Sequence, residues 1–110
     1  MLDTEKRSDK RYKVHNETVS VSSDGKQWNE ATVIDISQNG LCLEVKNKYF
    51  KDSLLYLRGK IKGCEAAISC DIKVVHCSEV ANGLFTIGVV YRNLSLQQEN
   101  DLSDAIKKAG

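Results

Sequence analysis

The sequence predicts a mainly β domain, a six-stranded antiparallel barrel that ends in one C-terminal helix.

 

Three observations support this prediction. Apolar and polar residues alternate with period two in short segments along most of the chain, which is typical of strands with one buried face. Pairs that favour turns, such as Asn39-Gly40 and Asn82-Gly83, separate these segments. After Tyr91 the apolar spacing becomes helical, so one helix is expected to close a barrel of short strands.

The first three strands are predicted in the first half of the chain. Val19 and Val21 alternate with polar neighbours, and residues 23–26 then have the composition of a turn. Ala31 to Ile36 is the second strand. Asn39-Gly40 breaks it, because this pair readily supplies positive φ, and residues 41–45 return as a third strand paired with the second.

The remaining strands follow the same alternation. The fourth is predicted from Leu54 to Lys60, and Asn82-Gly83 is the hairpin turn between the fifth and the sixth. The inward faces of the fifth and sixth strands are predicted to carry Ala66, Ile68, Cys70, Ile72 and Val74, and Phe85, Ile87, Val89 and Tyr91, respectively.

A helix is predicted after the sixth strand. Ser95 and Gln98 have the spacing of a capping box, in which each side chain bonds to the backbone N–H of the other residue. Leu102, Ile106 and Ala109 then recur at helical spacing between polar residues. The helix is therefore expected to be amphipathic and to lay one apolar face on the barrel.

Length and charge restrict the possible classes of function. The chain has 110 residues, a length that suits one domain without an attached catalytic module. Its formal net charge is +1. Proteins that hold long nucleic acids usually carry a larger basic excess, so any anionic ligand is expected to be small. Residues 1–13 are rich in charge and are predicted to form a flexible arm, and residues 14–110 to form the barrel with its helix.

The N-terminal residues lack the apolar segment of a signal peptide, and no apolar run is long enough to span a bilayer. We therefore expect a cytoplasmic protein, without membrane insertion, whose four cysteines are reduced. The cysteines lack the close pairs of zinc sites, and Cys70 falls on a predicted core face, so no metal is expected. His15 and His76 are expected to be strand-surface residues or to have their hydrogen bonds satisfied, rather than to be catalysts. Because no nucleophile–base pair or Gly-rich phosphate loop is present, we expect neither an enzyme nor a cofactor.

The charged arm contains an RxxxR pattern formed by Arg7 and Arg11. Two guanidinium groups at this spacing meet on one face if the arm is helical, and can reach around a ligand if it is extended. Arginine is suited to forked contacts with phosphate oxygens and to the O6 and N7 acceptors of guanine. An ordinary solvated tail would show the same residues.

A second pattern, DxSxxG, ends the second strand with Asp35, Ser37 and Gly40. An ionised Asp35 can accept from the N1–H and N2–H₂ groups of guanine, and Ser37 can donate or accept. Gly40 would allow positive φ and a close approach of the backbone to a flat base. Alternatively, Asp35 and Ser37 cap the backbone of an ordinary hairpin turn.

With both patterns in this order, the chain resembles the PilZ domain family over nearly its whole length. The resemblance rests on Arg7 and Arg11, the turn with Asp35, Ser37 and Gly40, the Leu41-Cys42-Leu43 strand, and the Ile87-Gly88-Val89-Val90-Tyr91 strand that leads into Asn93-Leu94-Ser95.

The resemblance implies a receptor for cyclic di-GMP, a bacterial second messenger. Arg7 and Arg11 would bind its phosphates and guanine edges, and Asp35, Ser37 and Gly40 would bind guanine, with Asn39 as a lesser contact. Such a receptor has no catalytic residues. It would order its arm over the ligand and signal to a protein partner that the sequence does not identify.

Three other functions would be compatible with a small barrel of this kind. A degenerate PilZ-like interaction module would bind no nucleotide, but such modules tend to lack the arginines or the turn. A barrel that binds DNA or RNA single strands needs exposed aromatic residues among basic ones. The aromatic content of only 6% counts against this function. A thiol-redox protein would be expected to carry a CxxC motif, which is absent.

Overall fold

The computed structural model describes residues 12–60 and 67–109, and the side chains of residues 17–60 and 67–107. These residues form six strands and one helix: β1 (Tyr12–Ser22), β2 (Asn29–Ile36), β3 (Gly40–Val45), β4 (Leu54–Gly59), β5 (Ile68–Ala81), β6 (Leu84–Arg92) and α1 (Leu96–Ala109). The strands make a closed antiparallel barrel in the order β1-β2-β3-β6-β5-β4, and β4 pairs with β1 to close it. The predicted fold class is confirmed.

The interior of the barrel holds most of the residues that the alternation assigned to buried faces. Phe85 and Tyr91 are only partly buried but pack against this core, and Ala66 lies outside the described residues. Val19 and Val21 on β1 and Ile87 and Val89 on β6 are all buried, and Cys70 on β5 lies in the same core. Burying a side chain of the size of valine or isoleucine stabilises a fold by about 1.5–3 kcal/mol. The alternation therefore identifies the groups that hold the barrel together.

The β1–β2 turn is held by short polar contacts, as its composition predicts. The Ser22 hydroxyl accepts a hydrogen bond of 2.8 Å from the Gly25 N–H, and Gly25 has a φ of 77°. The Asp24 carboxylate accepts from the N–H groups of Gln27 and Lys26. These hydrogen bonds favour the ionised carboxylate and lower the pKa of Asp24.

Two strands are longer than the sequence indicates. β1 begins at Tyr12, so the two residues at the end of the predicted arm lie in the strand. β5 continues past Val74 to Ala81, with irregularities in its pairing after Val74 and after Glu79. The hairpin turn that follows is confirmed, and Gly83 has a φ of 78°.

Helix α1 begins with the predicted capping box. The Ser95 N–H donates to Gln98 Oε1 at 3.0 Å, and the Gln98 N–H donates to Ser95 Oγ at 3.1 Å. Leu102 and Ala105 are buried against the barrel, and Ile106 packs against the same core. The side chain of Ala109, the third predicted apolar position, lies outside the described side chains.

The helix is also tied to one end of the barrel by polar contacts. Gln98 Nε2 donates to the backbone carbonyl of Ser69 at the start of β5, at 3.0 Å. Ser103 Oγ donates to Gln38 Oε1 in the β2–β3 turn, at 3.2 Å. The predicted DxSxxG turn therefore lies next to the helix.

Candidate ligand-binding site

A bulge in β2 determines the direction of Asp35. Val33 pairs with Leu43 and Asp35 pairs with Cys42, so Ile34 is an extra residue in β2. A bulge of this kind reverses the alternation that follows it. Ile36 consequently enters the core, whereas Asp35 is half-buried on the outer face of the sheet. Without the bulge, strict alternation from Ala31 and Val33 would place a carboxylate in the barrel interior.

Ser37 holds the β2–β3 turn together from inside. Its side chain is fully buried, and its hydroxyl accepts from the Gly40 N–H at 3.2 Å and lies 3.3 Å from the Gly40 carbonyl oxygen, to which it can donate. The Ser37 N–H also donates to this carbonyl, at 2.9 Å. The turn thus has the self-capped arrangement that the sequence offered as the alternative to a guanine contact. The assignment of Ser37 to the ligand remains a prediction.

Gly40 is required by packing rather than by its backbone angle. Its φ is not positive, unlike those of Gly25 and Gly83, so the expected reason for a glycine here was wrong. A Cβ atom at Gly40 would lie 1.9 Å from the carbonyl oxygen of Val89 on β6. The backbone that comes close to Gly40 is therefore that of β6. A contact of Gly40 with a base remains a prediction.

The two residues at the tip of the turn are exposed but anchored. The Asn39 carbonyl accepts from the Tyr91 N–H at 3.0 Å, which extends the contact between the turn and β6. Gln38 accepts from Ser103 on α1. The Asn39 side chain is exposed, and its contact with a ligand remains a prediction.

The N-terminal segment enters the barrel beside this turn. Tyr12 pairs with Ile36, and Lys13 pairs with Asp35. Tyr12 therefore lies opposite the residue that precedes Ser37, and the chain that carries the RxxxR pattern is joined to the barrel at that place. Arg7 and Arg11 themselves lie outside the described residues.

Two surfaces adjoin the turn, one on the side of the helix and one on the outer face of the sheet. On the helix side, a groove of about 420 Å³ is lined by Gln38, Asn39, Tyr91, Asn93, Leu94 and Glu99. Among the described residues, this lining contains a carboxylate and no cation, which disfavours a phosphate. The other surface is the outer face of β2 and β3, where Asp35 lies next to Cys42. Asp35 on this face pairs with Lys13 of β1. The segment with the RxxxR pattern therefore joins the barrel beside the outer face, which makes this face the better candidate for a ligand held by both patterns.

Comparisons with known proteins show the family and the fold of the chain. The model of the PilZ domain matches residues 5–108. The chain belongs to the PilZ domain family. Among solved structures, the PilZ domain of YcgR from Escherichia coli with c-di-GMP is similar at a TM-score of 0.72 and 12% identity, covering 94% of this chain and 91% of that one.

Two further solved structures show the same fold within longer proteins. The Bacillus subtilis inhibitor of motility MotI/DgrA has a TM-score of 0.72 at 14% identity, covering 93% of this chain and 50% of that one. The MrkH–c-di-GMP complex of K. pneumonia has a TM-score of 0.72 at 16% identity, with 93% and 51% covered. This PilZ domain thus spans about half the length of these two proteins. No curated protein matches it in sequence.

The cysteines in the described part of this PilZ domain form no disulfide. Burial raises the pKa of the Cys70 thiol to about 11, and the neighbouring Asp71 carboxylate acts in the same direction. Among the described residues, no three His, Cys, Asp or Glu side chains are grouped closely enough to hold a metal ion. Cys64 lies outside this set. None of the described helices is long and apolar enough to cross a membrane.

One contact between β4 and the residue before β2 was not predicted from the sequence. The Arg58 guanidinium lies 3.9 Å from the ring centre of Trp28, a distance typical of a cation–π contact. Both residues line a groove of about 470 Å³ with Tyr56 and Asp71. Nothing in the local sequence indicates this pairing, because it depends on how the β1–β2 turn folds over β4.

Proposed function

We propose that this PilZ domain is a receptor for cyclic di-GMP that binds the dinucleotide through the RxxxR segment and the DxSxxG turn. Membership of the PilZ family supports the proposal, as does the likeness to PilZ structures described with c-di-GMP. Its output would be a changed surface rather than a chemical reaction.

The pairing of Tyr12 with Ile36 is the observation that carries the proposal. It joins the segment bearing Arg7 and Arg11 to the barrel within one residue of the turn. Successive Cα atoms are about 3.8 Å apart, and an arginine side chain is long. Both arginines can therefore reach a ligand that lies over Asp35.

Each residue of the proposed site has a distinct role. Arg7 and Arg11 bind the two phosphates and the guanine edges, because a guanidinium group offers paired donors to such acceptors. Asp35 accepts from the N1–H and N2–H₂ of guanine. Ser37 supports these contacts through the turn that it closes, and Gly40 lets β3 lie close to β6 at the same place.

Signalling follows from the attachment of the arm. When the arginines fold over the dinucleotide, the arm lies against the barrel and presents a new surface to a protein partner. Because the turn is bonded to α1 through Gln38 and Ser103, the helix is next to the surface that changes.

Calorimetric titration with cyclic di-GMP tests the proposal and gives the stoichiometry. We expect Arg7→Ala and Arg11→Ala each to weaken binding by roughly tenfold to a hundredfold, since a charged hydrogen bond is worth about 1.5–3 kcal/mol. Lys10→Ala is the matched control, because it removes a cation from the same arm outside the motif. Failure of the parent protein to bind would favour the degenerate interaction module. Equal losses in all three variants would indicate a nonspecific effect of charge.

A further inference from the structure

The outer face of the sheet carries a row of four residues that starts at Asp35. The pairing places Asp35 beside Cys42, Cys42 beside Gly88, and Gly88 beside His76, on β2, β3, β6 and β5. The row therefore crosses four adjacent strands. We call it the outer row.

The side chains in the middle of the outer row are small or absent, whereas the side chain at its β5 end stands above the surface of the sheet. Cys42 is small, and Gly88 has no side chain. The imidazole of exposed His76 lies over Gly88, so that a Cβ atom there would be 2.5 Å from His76 Nε2 and 2.7 Å from Cδ2. Gly88 is buried beneath the ring. The row is thus a shallow trough with a carboxylate at one end and an imidazole at the other.

The dimensions of the trough suit a purine. Neighbouring strands lie about 4.8 Å apart, so about 10 Å separates the backbone at Asp35 from that at Gly88. This distance accommodates a purine ring with a hydrogen bond of about 2.9 Å at its edge. A guanine whose Watson–Crick edge faces Asp35 turns its N7 towards the other end of the trough.

We propose that His76 is a further contact of the dinucleotide and donates a ring N–H to N7 of the guanine that Asp35 holds. This inference rests on the proposed function, since it assumes the same ligand and the same orientation at Asp35. Adenine also has an N7 acceptor. His76 therefore adds affinity for purines in general, whereas Asp35 distinguishes guanine from adenine.

The test compares cyclic di-GMP with its 7-deaza analogue, in which a C–H group replaces N7. For the parent protein, we expect the analogue to bind about two- to tenfold more weakly, the range for one neutral hydrogen bond. His76→Ala should weaken binding of cyclic di-GMP by a similar factor and should bind both ligands equally. Ser78→Ala, two residues along β5 and also exposed, is the control that should behave as the parent.

Gly88→Ala provides a second variant that moves the imidazole without removing it. The new Cβ would occupy the place of the exposed ring, which must swing away. We expect the same loss as for His76→Ala and no additional loss in the double variant. Thermal unfolding of each variant shows whether the fold is retained.

Two outcomes would overturn the inference. One is unchanged binding of cyclic di-GMP by His76→Ala, and the other is a 7-deaza penalty that persists in that variant. Either result leaves the proposed function intact if Arg11→Ala still loses binding. Failure of the parent protein to bind cyclic di-GMP would instead remove the proposed function itself.

Discussion

Replacing Gly40 by alanine should destabilise the barrel severely, because the structure leaves no space for a methyl group. The added Cβ would lie 1.9 Å from the Val89 carbonyl oxygen and 2.9 Å from its carbon. A carbon–oxygen contact normally needs about 3.3 Å or more. The two strands would therefore have to separate by more than an ångström at this place.

Separation is costly because β3 and β6 are paired here, Gly40 with Val90 and Leu41 with Val89. Losing two ladder hydrogen bonds costs about 1 kcal/mol each, and the accompanying strain costs about 1–3 kcal/mol. We expect the free energy of unfolding to fall by about 3–5 kcal/mol. A domain of this size has about 5–15 kcal/mol in total, so the variant should unfold at a much lower temperature or fail to fold.

Gly83 is the matched control, because it has a φ of 78° and nothing within 4 Å of its added Cβ. Gly83→Ala should cost about 1–2 kcal/mol from the left-handed backbone alone. Asparagine tolerates that conformation, so Gly83→Asn should cost less, whereas Gly40→Asn should be at least as harmful as Gly40→Ala. Urea denaturation of the four variants measures these differences. If Gly40→Asn were milder than Gly40→Ala, a backbone requirement would replace the packing argument.

Three further predictions concern the base, the buried thiol and the helix cap. Asp35→Ala should reduce the preference for cyclic di-GMP over cyclic di-AMP in parallel titrations, because adenine lacks the donors that the carboxylate accepts; an unchanged ratio would show that Asp35 does not read the base. Burial raises the pKa of the Cys70 thiol to about 11 from an ordinary value of 9.0. The contribution of this thiol to the free energy of unfolding should therefore be complete below pH 9 and decline towards pH 11. Denaturation of Cys70→Ala at a series of pH values should lack this part of the alkaline decline. Ser95→Ala removes the cap of α1 and should cost about 1 kcal/mol in thermal unfolding, with Ser78→Ala unchanged.

The sequence predicts the barrel well where alternation is regular. Ile87 and Val89 were assigned to the core because every second residue of a half-buried strand faces inward, and both are buried. The capping box of Ser95 and Gln98 was predictable for a similar reason, since its contacts lie within one turn of chain. Contacts of this kind are local, so a single sequence contains the information for them.

The geometry of the candidate site was less predictable, because it depends on pairing between strands. The bulge at Ile34 turns Asp35 outward, and no residue in β2 marks it. The reason for Gly40 lies in Val89, far along the chain, so local sequence suggested positive φ instead. The outer row likewise depends on the registers of three strand pairs, which is why His76 could be assigned only to a strand surface.

The arrangement of the turn indicates where the free energy of binding is spent. The Ser37 N–H, the Gly40 N–H and the Asn39 carbonyl all have partners within the protein, so the turn keeps its shape without a ligand. Ordering a flexible residue costs about 1–2 kcal/mol of backbone entropy, and under the proposed function this cost falls on the segment before Tyr12 rather than on the turn. Changes in that segment should therefore alter affinity through ordering as well as through contact, whereas changes at Asp35 act on contact alone. Under the proposed function, the turn therefore determines which base is bound, and the ordering of the arm limits how tightly it is bound.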